Sequence, residues 1–161
     1  MKEEIKVRKA CKKDIDKMLC LLKELFRMER VDFDRKTQYN GLLFLMEKEN
    51  RAAAFVAELD KEIIGMCTIQ TLISTAKASY TAYIEDLCVD SDYRNKGVGG
   101  RLLEYCEKWC INNNINNIHL LADGRNKKAL NFYKKNGWKT TDYTALTKSL
   151  TNSFSEKVEV F

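Results

Sequence analysis

The spacing of apolar residues changes along the chain, and each change marks a new element. Ile5–Ala10 alternates apolar and polar residues, which predicts a short strand. Past Asp14, which reads as an N-cap, Ile15, Met18, Leu19, Leu22, Leu25 and Phe26 recur at helical spacing. A second helix is predicted over Thr37–Lys48, with Tyr39, Leu42, Leu43 and Met46 inward. The pattern then shortens: Ala53–Glu58, a turn at Asp60–Lys61 and Ile63–Leu72 read as a β-hairpin, followed by a strand over Ser79–Val89. Helical spacing returns in Gly97–Ile111, where Val98, Leu102, Leu103, Cys106, Trp109 and Cys110 share a face. Ile118–Ala122 is a short buried strand, and Asn126–Asn136 a helix ended by Gly137. Trp138–Leu150 is expected to supply one or two final strands.

This order predicts an α/β sandwich: a mixed, mostly antiparallel sheet of six to seven strands with helices on both faces. Ligands of such sheets bind beyond the C-terminal ends of strands, beside helix N-termini. With 161 residues, 45% of them apolar, the chain fits one domain over residues 1–150, with 151–161 as its last strand or tail.

Composition narrows the chemistry. No apolar run approaches the roughly 18 to 20 residues of a membrane-spanning helix. The charged opening MKEEIKVRKACKKDID has no signal-peptide core, so a cytoplasmic location is expected and no membrane partner. Six cysteines (Cys11, Cys20, Cys67, Cys88, Cys106, Cys110) are irregularly spaced and only His119 could join them at a metal, so no metal is expected and the thiols read as reduced and buried. The net charge of +5 is dispersed, which suits an anionic small ligand. No Lys/Arg run or aromatic–basic interleaving points to nucleic acid.

The densest chemistry lies in Ile84–Leu103, IEDLCVDSDYRNKGVGGRLL. A buried strand ends at Val89, a polar loop follows, and a helix starts at the glycines. Gly97 and Gly99 let peptide N–H groups converge on an anion, and the helix N-terminus adds partial positive charge. Arg94, Lys96 and Arg101 add full charges. The segment reads as a pyrophosphate cradle. It lacks the Gly-Lys-Ser/Thr of nucleotide triphosphatases and the Gly-x-Gly-x-x-Gly of dinucleotide folds. Downstream, NKKALNFYKKNGW (Asn126 to Trp138) has Asn126 as a helix cap, with Ala129 and Tyr133 on one face. A small residue at Ala129 leaves room for a slender ligand, while Phe132 and Trp138 suit the core.

Together, in this order and separation, the two segments resemble the GCN5-related N-acetyltransferases (GNAT). LCVDSDYRNKGVGGRLL is similar to that family's acetyl-CoA-binding motif and NKKALNFYKKNGW to its second cofactor motif; IKVRKACKKDID also resembles the usual first strand and helix. Ser91 stands where many members have proline. The resemblance implies an acetyl-CoA-dependent N-acetyltransferase acting by direct attack of an amine in a ternary complex. It implies that the backbone of Leu87, Cys88 and Val89 pairs with the pantetheine arm. Arg94 and the stretch Asn95, Lys96, Gly97, Val98, Gly99 and Gly100 would hold the pyrophosphate, with Asn126 and Ala129 lining the far side. Tyr133 matches the general acid for the CoA sulfur, and a backbone N–H near Leu87 is placed to polarise the carbonyl.

Glu85 is the candidate base, through a water, since an apolar strand raises a carboxylate's pKa. Asp86 remains an alternative if a β-bulge resets the alternation. Ile84-Glu85-Asp86 with Phe132-Tyr133 is similar to the polyamine acetyltransferase branch. The resemblance implies an acceptor pocket built by Phe26–Tyr39 and Leu72–Tyr80; in the first, Glu29, Asp32 and Asp34 either attract a cationic amine or form a solvated loop. Small-molecule and peptide amines both stay open as acceptors, and relatives of this kind often form homodimers. The alternative of another class is a non-catalytic CoA-binding sensor or partner module.

Overall fold

Both faces of the central strands are apolar, and helices cover both. The computed structural model describes residues 4–48 and 51–150. Its elements are β1 (Lys6–Lys9), α1 (Ile15–Glu29), α2 (Arg35–Met46), β2 (Ala52–Leu59), β3 (Glu62–Ser74), β4 (Ser79–Val89), α3 (Val98–Asn112), β5 (Ile118–Leu120) and α4 (Lys127–Lys135). The sheet runs in sequence order, β1-β2-β3-β4-β5. Its first three pairings are antiparallel and β4–β5 is parallel.

One face carries Ala53, Phe55, Ala57, Cys67, Ile69, Ala82 and Ile84 against Val98, Leu102, Leu103 and Cys106 of α3. Edge-to-face contacts from Phe55 to Tyr105 and Trp109 extend this packing. The opposite face carries Ala54, Val56, Ile63, Met66 and Cys88 against α1 residues Ile15, Met18, Leu19 and Leu22 and Leu42 of α2. Gly65 lets α3 approach the sheet, since a Cβ there would meet the Cys88 carbonyl, Leu102 and Val98, each at 3.2 Å.

The helices and the first four strands lie within a few residues of their expected bounds. Three expectations need correction. First, the described residues hold five strands rather than six or seven, because Trp138–Leu150 forms none. Tyr143, Leu146 and Leu150 are 93%, 92% and 80% exposed. Spaced by three and four, they cannot share one face of a period-2 strand. Residues 151–161, expected as a strand or tail, lie outside the described residues.

Second, Asp14 makes no side-chain capping bond to α1. It accepts the Cys11 N–H at 2.8 Å and a two-pronged contact from Arg8, whose Nη1 and Nη2 donate at 2.8 and 2.9 Å. Arg8 also reaches Glu58 at 2.8 Å, so one guanidinium ties β1, β2 and the start of α1 together. Third, Cys11 and Cys20 are exposed, while Cys67, Cys88, Cys106 and Cys110 are buried. No helix among the described residues is long and apolar enough to cross a membrane.

Candidate active site

The parallel pairing of β4 with β5 covers only Ala82↔Ile118, Tyr83↔His119 and Ile84↔Leu120. Beyond Ile84 the strands part, leaving the last residues of β4 with an edge that no other strand among the described residues covers. Asp90 N–H donates to the Ile64 carbonyl at 2.9 Å. Antiparallel alternation then turns the main chain of Cys88 toward β3 and that of Leu87 and Val89 into the gap. Of the three residues expected to pair with an extended ligand, Leu87 and Val89 therefore face it and Cys88 does not. Arg94 Nε donates to the Val89 carbonyl at 3.1 Å, so the Leu87 N–H and C=O and the Val89 N–H are left without a partner among the described residues.

The strand leads through a single 3-10 turn, Ser91–Tyr93, into the loop before α3. Asp90 stabilises that turn by accepting the Asp92 N–H at 2.9 Å, so the loop is shaped without a proline at Ser91. Asn95 and Gly97 both have positive φ, 61° and 82°, and Gly97 is the N-cap residue of α3. This conformation is why a glycine stands at 97. Gly99 has a packing role besides the anion approach expected of it: a Cβ there would lie 3.0 Å from Phe132 Cζ, so it lets α4 close onto α3. Val98 is buried beneath the turn, and Gly100 faces Asn136 Oδ1, 3.1 Å from where its Cβ would stand. Lys96 Nζ sits 5.1 Å above the Tyr93 ring, beside the exposed loop. Arg101 turns away, donating to the Ile5 carbonyl at 2.9 Å.

Across the gap, α4 is capped by Asn126, whose Oδ1 accepts the Ala129 N–H at 3.0 Å. Tyr133, one turn on, packs edge-to-face with Phe132 and Trp138 at 5.2 and 5.9 Å. Phe132 and Trp138 pack against the core, as expected. Burial, with the nearby Cys67 and Glu29, pushes the Tyr133 hydroxyl up to about 12, so it holds its proton at neutral pH.

The carboxylates sit on the α1 face at an irregularity of β4. Cys67 pairs with Leu87 and Ile69 with Ile84, so Thr68 alone stands opposite Glu85 and Asp86. This is a β-bulge, and it turns both acids to one face. Glu85 is exposed and accepts a 3.3 Å bond from Gln70 Nε2. Asp86 is more buried and bonds Thr68 at 2.8 Å. Burial raises both carboxyls, joined at Glu85 by the charge of Asp86 and opposed at Asp86 by the Thr68 bond. Glu29, at the end of α1, is raised by partial burial and then by Asp86 and Asp123. Asp34 is occupied as the α2 cap, accepting from the N–H and Oγ1 of Thr37 at 2.8 and 2.7 Å. Glu29 ends α1, and Asp32 and Asp34 lie in the connection to α2, which starts at Arg35.

Between α1 and the end of β4 lies a cleft of about 270 Å³, lined by Leu21, Leu25, Met28, Cys88, Val89 and Arg94 among others. No group of three or more metal-ligating side chains occurs among the described residues. Thr68 escaped the sequence reading; its signal was a lone hydroxyl inside the apolar run Met66–Ile69.

The acetyltransferase (GNAT) family model matches residues 17–138. An N-alpha-acetyltransferase of Sulfurisphaera tokodaii is 30% identical over 146 residues, 85% of this chain and 81% of the relative. The streptothricin acetyltransferase of Escherichia coli is 27% identical over 92 residues, 57% of this chain. The match spans 50% of that relative's own length. Among solved structures, aminoglycoside N-acetyltransferase AAC(6')-Iy in complex with CoA aligns with a TM-score of 0.82 at 15% identity, covering 92% of this chain and 97% of that one. At that identity the likeness is one of fold.

Proposed function

The chain belongs to the acetyltransferase (GNAT) family, and from that premise we propose that it transfers an acetyl group from acetyl-CoA to a primary amine by direct attack in a ternary complex. The observation that carries this reading is the parting of β4 and β5 after Ile84, which opens outward-facing main-chain groups of Leu87 and Val89 beside the N-terminus of α3. A pantetheine arm is a chain of amides, and it pairs with such an edge as an added strand would. Its diphosphate meets the turn Arg94–Gly100, where Asn95 and Gly97 bend the backbone and the helix dipole favours negative charge. Asn126 and Ala129 bound the far side.

In the transfer, the amine nitrogen bonds to the thioester carbon and the C–S bond then breaks. Three groups of this chain serve those steps. Glu85, in contact with solvent, takes the amine proton through a water. The Leu87 N–H polarises the carbonyl oxygen as negative charge develops there. Tyr133, protonated at neutral pH, gives its proton to the departing thiolate and regains one from solvent.

The acceptor is a cationic amine in this reading. Glu29, Glu85 and Asp86 approach one another from two elements, and among the described residues none of the three forms an ion pair with Lys or Arg. The acceptors in the sequence relatives' names, an α-amine and streptothricin, fit that description. A mass-spectrometric screen of aminoglycosides, polyamines, streptothricin and peptides with free N-termini tests it. The expected result is one added acetyl group on at least one amine, with stoichiometric release of CoA thiol. Acetyl-CoA binding with no acetylated product would instead favour the non-catalytic binding module.

A further inference from the structure

Thr68 is 1% exposed in the middle of β3, flanked by Cys67 and Ile69, both fully buried. A buried hydroxyl needs partners, and both of this one's lie on a single residue. Thr68 Oγ1 donates to Asp86 Oδ2 at 2.8 Å, and the same oxygen accepts the Asp86 backbone N–H at 3.0 Å. The second bond follows from the bulge. Where one residue of β3 opposes two of β4, an N–H loses its ladder acceptor. The threonine hydroxyl supplies that acceptor and uses its own hydrogen to hold the carboxylate. One side chain thereby fixes both the backbone and the carboxyl group of Asp86. Glu85, its neighbour in the bulge, has only the 3.3 Å contact from Gln70 and reaches solvent.

Resting on the acetyltransferase reading, we propose that Thr68 is a positioning residue for the acceptor: by locking the bulge it presents the Asp86 carboxylate, at fixed geometry, to the incoming amine. Glu85 and Asp86 then divide the work. The solvent-facing carboxylate passes the proton to solvent, and the anchored one holds the nitrogen in line with the carbonyl. Positioning of this kind is worth having because a small misplacement of a reacting group costs large factors in rate. The Thr68 bond also lowers a carboxyl that burial raises. The titratable groups facing Asp86 are Glu29 from α1, Glu85 and Cys88 from β4 and Cys67 from β3. None of them donates a hydrogen bond to its carboxylate; burial raises the Asp86 carboxyl, and the Thr68 hydroxyl is the contact that lowers it.

The test uses the full chain as Thr68→Val, Thr68→Ser and Asp86→Asn. In protein carrying 13C-labelled aspartate, NMR reads the titration of the Asp86 carboxyl directly. It should move to higher pH in Thr68→Val and stay near wild type in Thr68→Ser, which keeps the hydroxyl. With kanamycin, spermidine and a short peptide as probe amines, KM for whichever is acetylated should rise about ten-fold in Thr68→Val, the scale of one hydrogen bond to a charged group. Acetyl-CoA affinity should be unchanged, and Thr68→Ser should recover most of the loss. If Thr68→Val does not fold, Asp86→Asn makes the same demand, a higher amine KM at unaltered acetyl-CoA affinity. An unmoved Asp86 titration in folded Thr68→Val, or an unaltered amine KM in Asp86→Asn, overturns the proposal. A wild-type enzyme that acetylates none of the probe amines counts against the acetyltransferase reading, whereas the titration judges Thr68 independently of turnover.

Discussion

Gly99 of α3 and Phe132 of α4 touch so closely that a methyl group on the glycine would stand 3.0 Å from Cζ of the ring. The contact sets how near α4 lies to the start of α3, and Tyr133 is the next residue along. Gly99→Ala should therefore lower stability by about 1 kcal/mol, the low end for overpacking, and reduce turnover by displacing the tyrosine. Thermal melting checks the first effect and a thiol-release assay the second; an unchanged melting temperature would mean that the ring yields freely.

Tyr133→Phe removes a hydroxyl and leaves the ring that packs against Phe132 and Trp138. The variant should fold and bind acetyl-CoA as wild type does, yet lose turnover by about 100-fold, the lower range for a general acid. Undiminished turnover would take Tyr133 out of the acid role.

At Gly97, φ is +82° with open space around the missing side chain, so backbone strain rather than a clash decides the outcome of substitution. Gly97→Val should cost about 1–2 kcal/mol in that conformation or force the turn to relax, and acetyl-CoA affinity should fall several-fold. Titration calorimetry on the variant reads this, and undiminished affinity would mean that the diphosphate binds elsewhere.

Much of this arrangement was legible in the chain. Ser79–Val89 has the same bounds as a strand in the sequence reading and in the structure, because its aromatic and β-branched residues Tyr80, Thr81, Tyr83, Ile84 and Val89 favour extended backbone. The glycines before α3 and the Asn126 cap of α4 were equally plain. What could not be read depends on contacts between distant segments. The bulge at Glu85–Asp86 arises from the register between β3 and β4, which strict alternation does not reveal. The packing of α4 upon Gly99 joins segments far apart in the chain, and no local pattern announces it. Asp14 carried the local signature of a helix cap, but Arg8 on the adjacent strand offers a stronger, two-pronged partner. The strands expected over Trp138–Leu150 do not form there, since strand propensity is readily overridden by context.

The Arg8 contact gives stability a definite pH dependence. Hydrogen bonding from Arg8 holds the Asp14 carboxyl down to about 2, against an ordinary value of 3.8. A depressed carboxylate contributes stability above its unfolded pKa and loses it as pH falls through the folded one. Asp14→Asn should therefore cost about 2 kcal/mol at neutral pH, a deficit that shrinks as the pH is lowered from 3.8 toward about 2. Denaturant melts at neutral and acidic pH measure this directly. A deficit that persists undiminished in acid would assign the loss to packing instead of charge.

All of these effects presuppose that acetyl-CoA occupies the gap between β4 and α4. Isothermal titration calorimetry of the full chain with acetyl-CoA measures that occupancy without knowledge of the acceptor. Saturable binding at one site per chain, accompanied by a rise in melting temperature, is the result this account predicts. No heat and no thermal protection at saturating acetyl-CoA would contradict it.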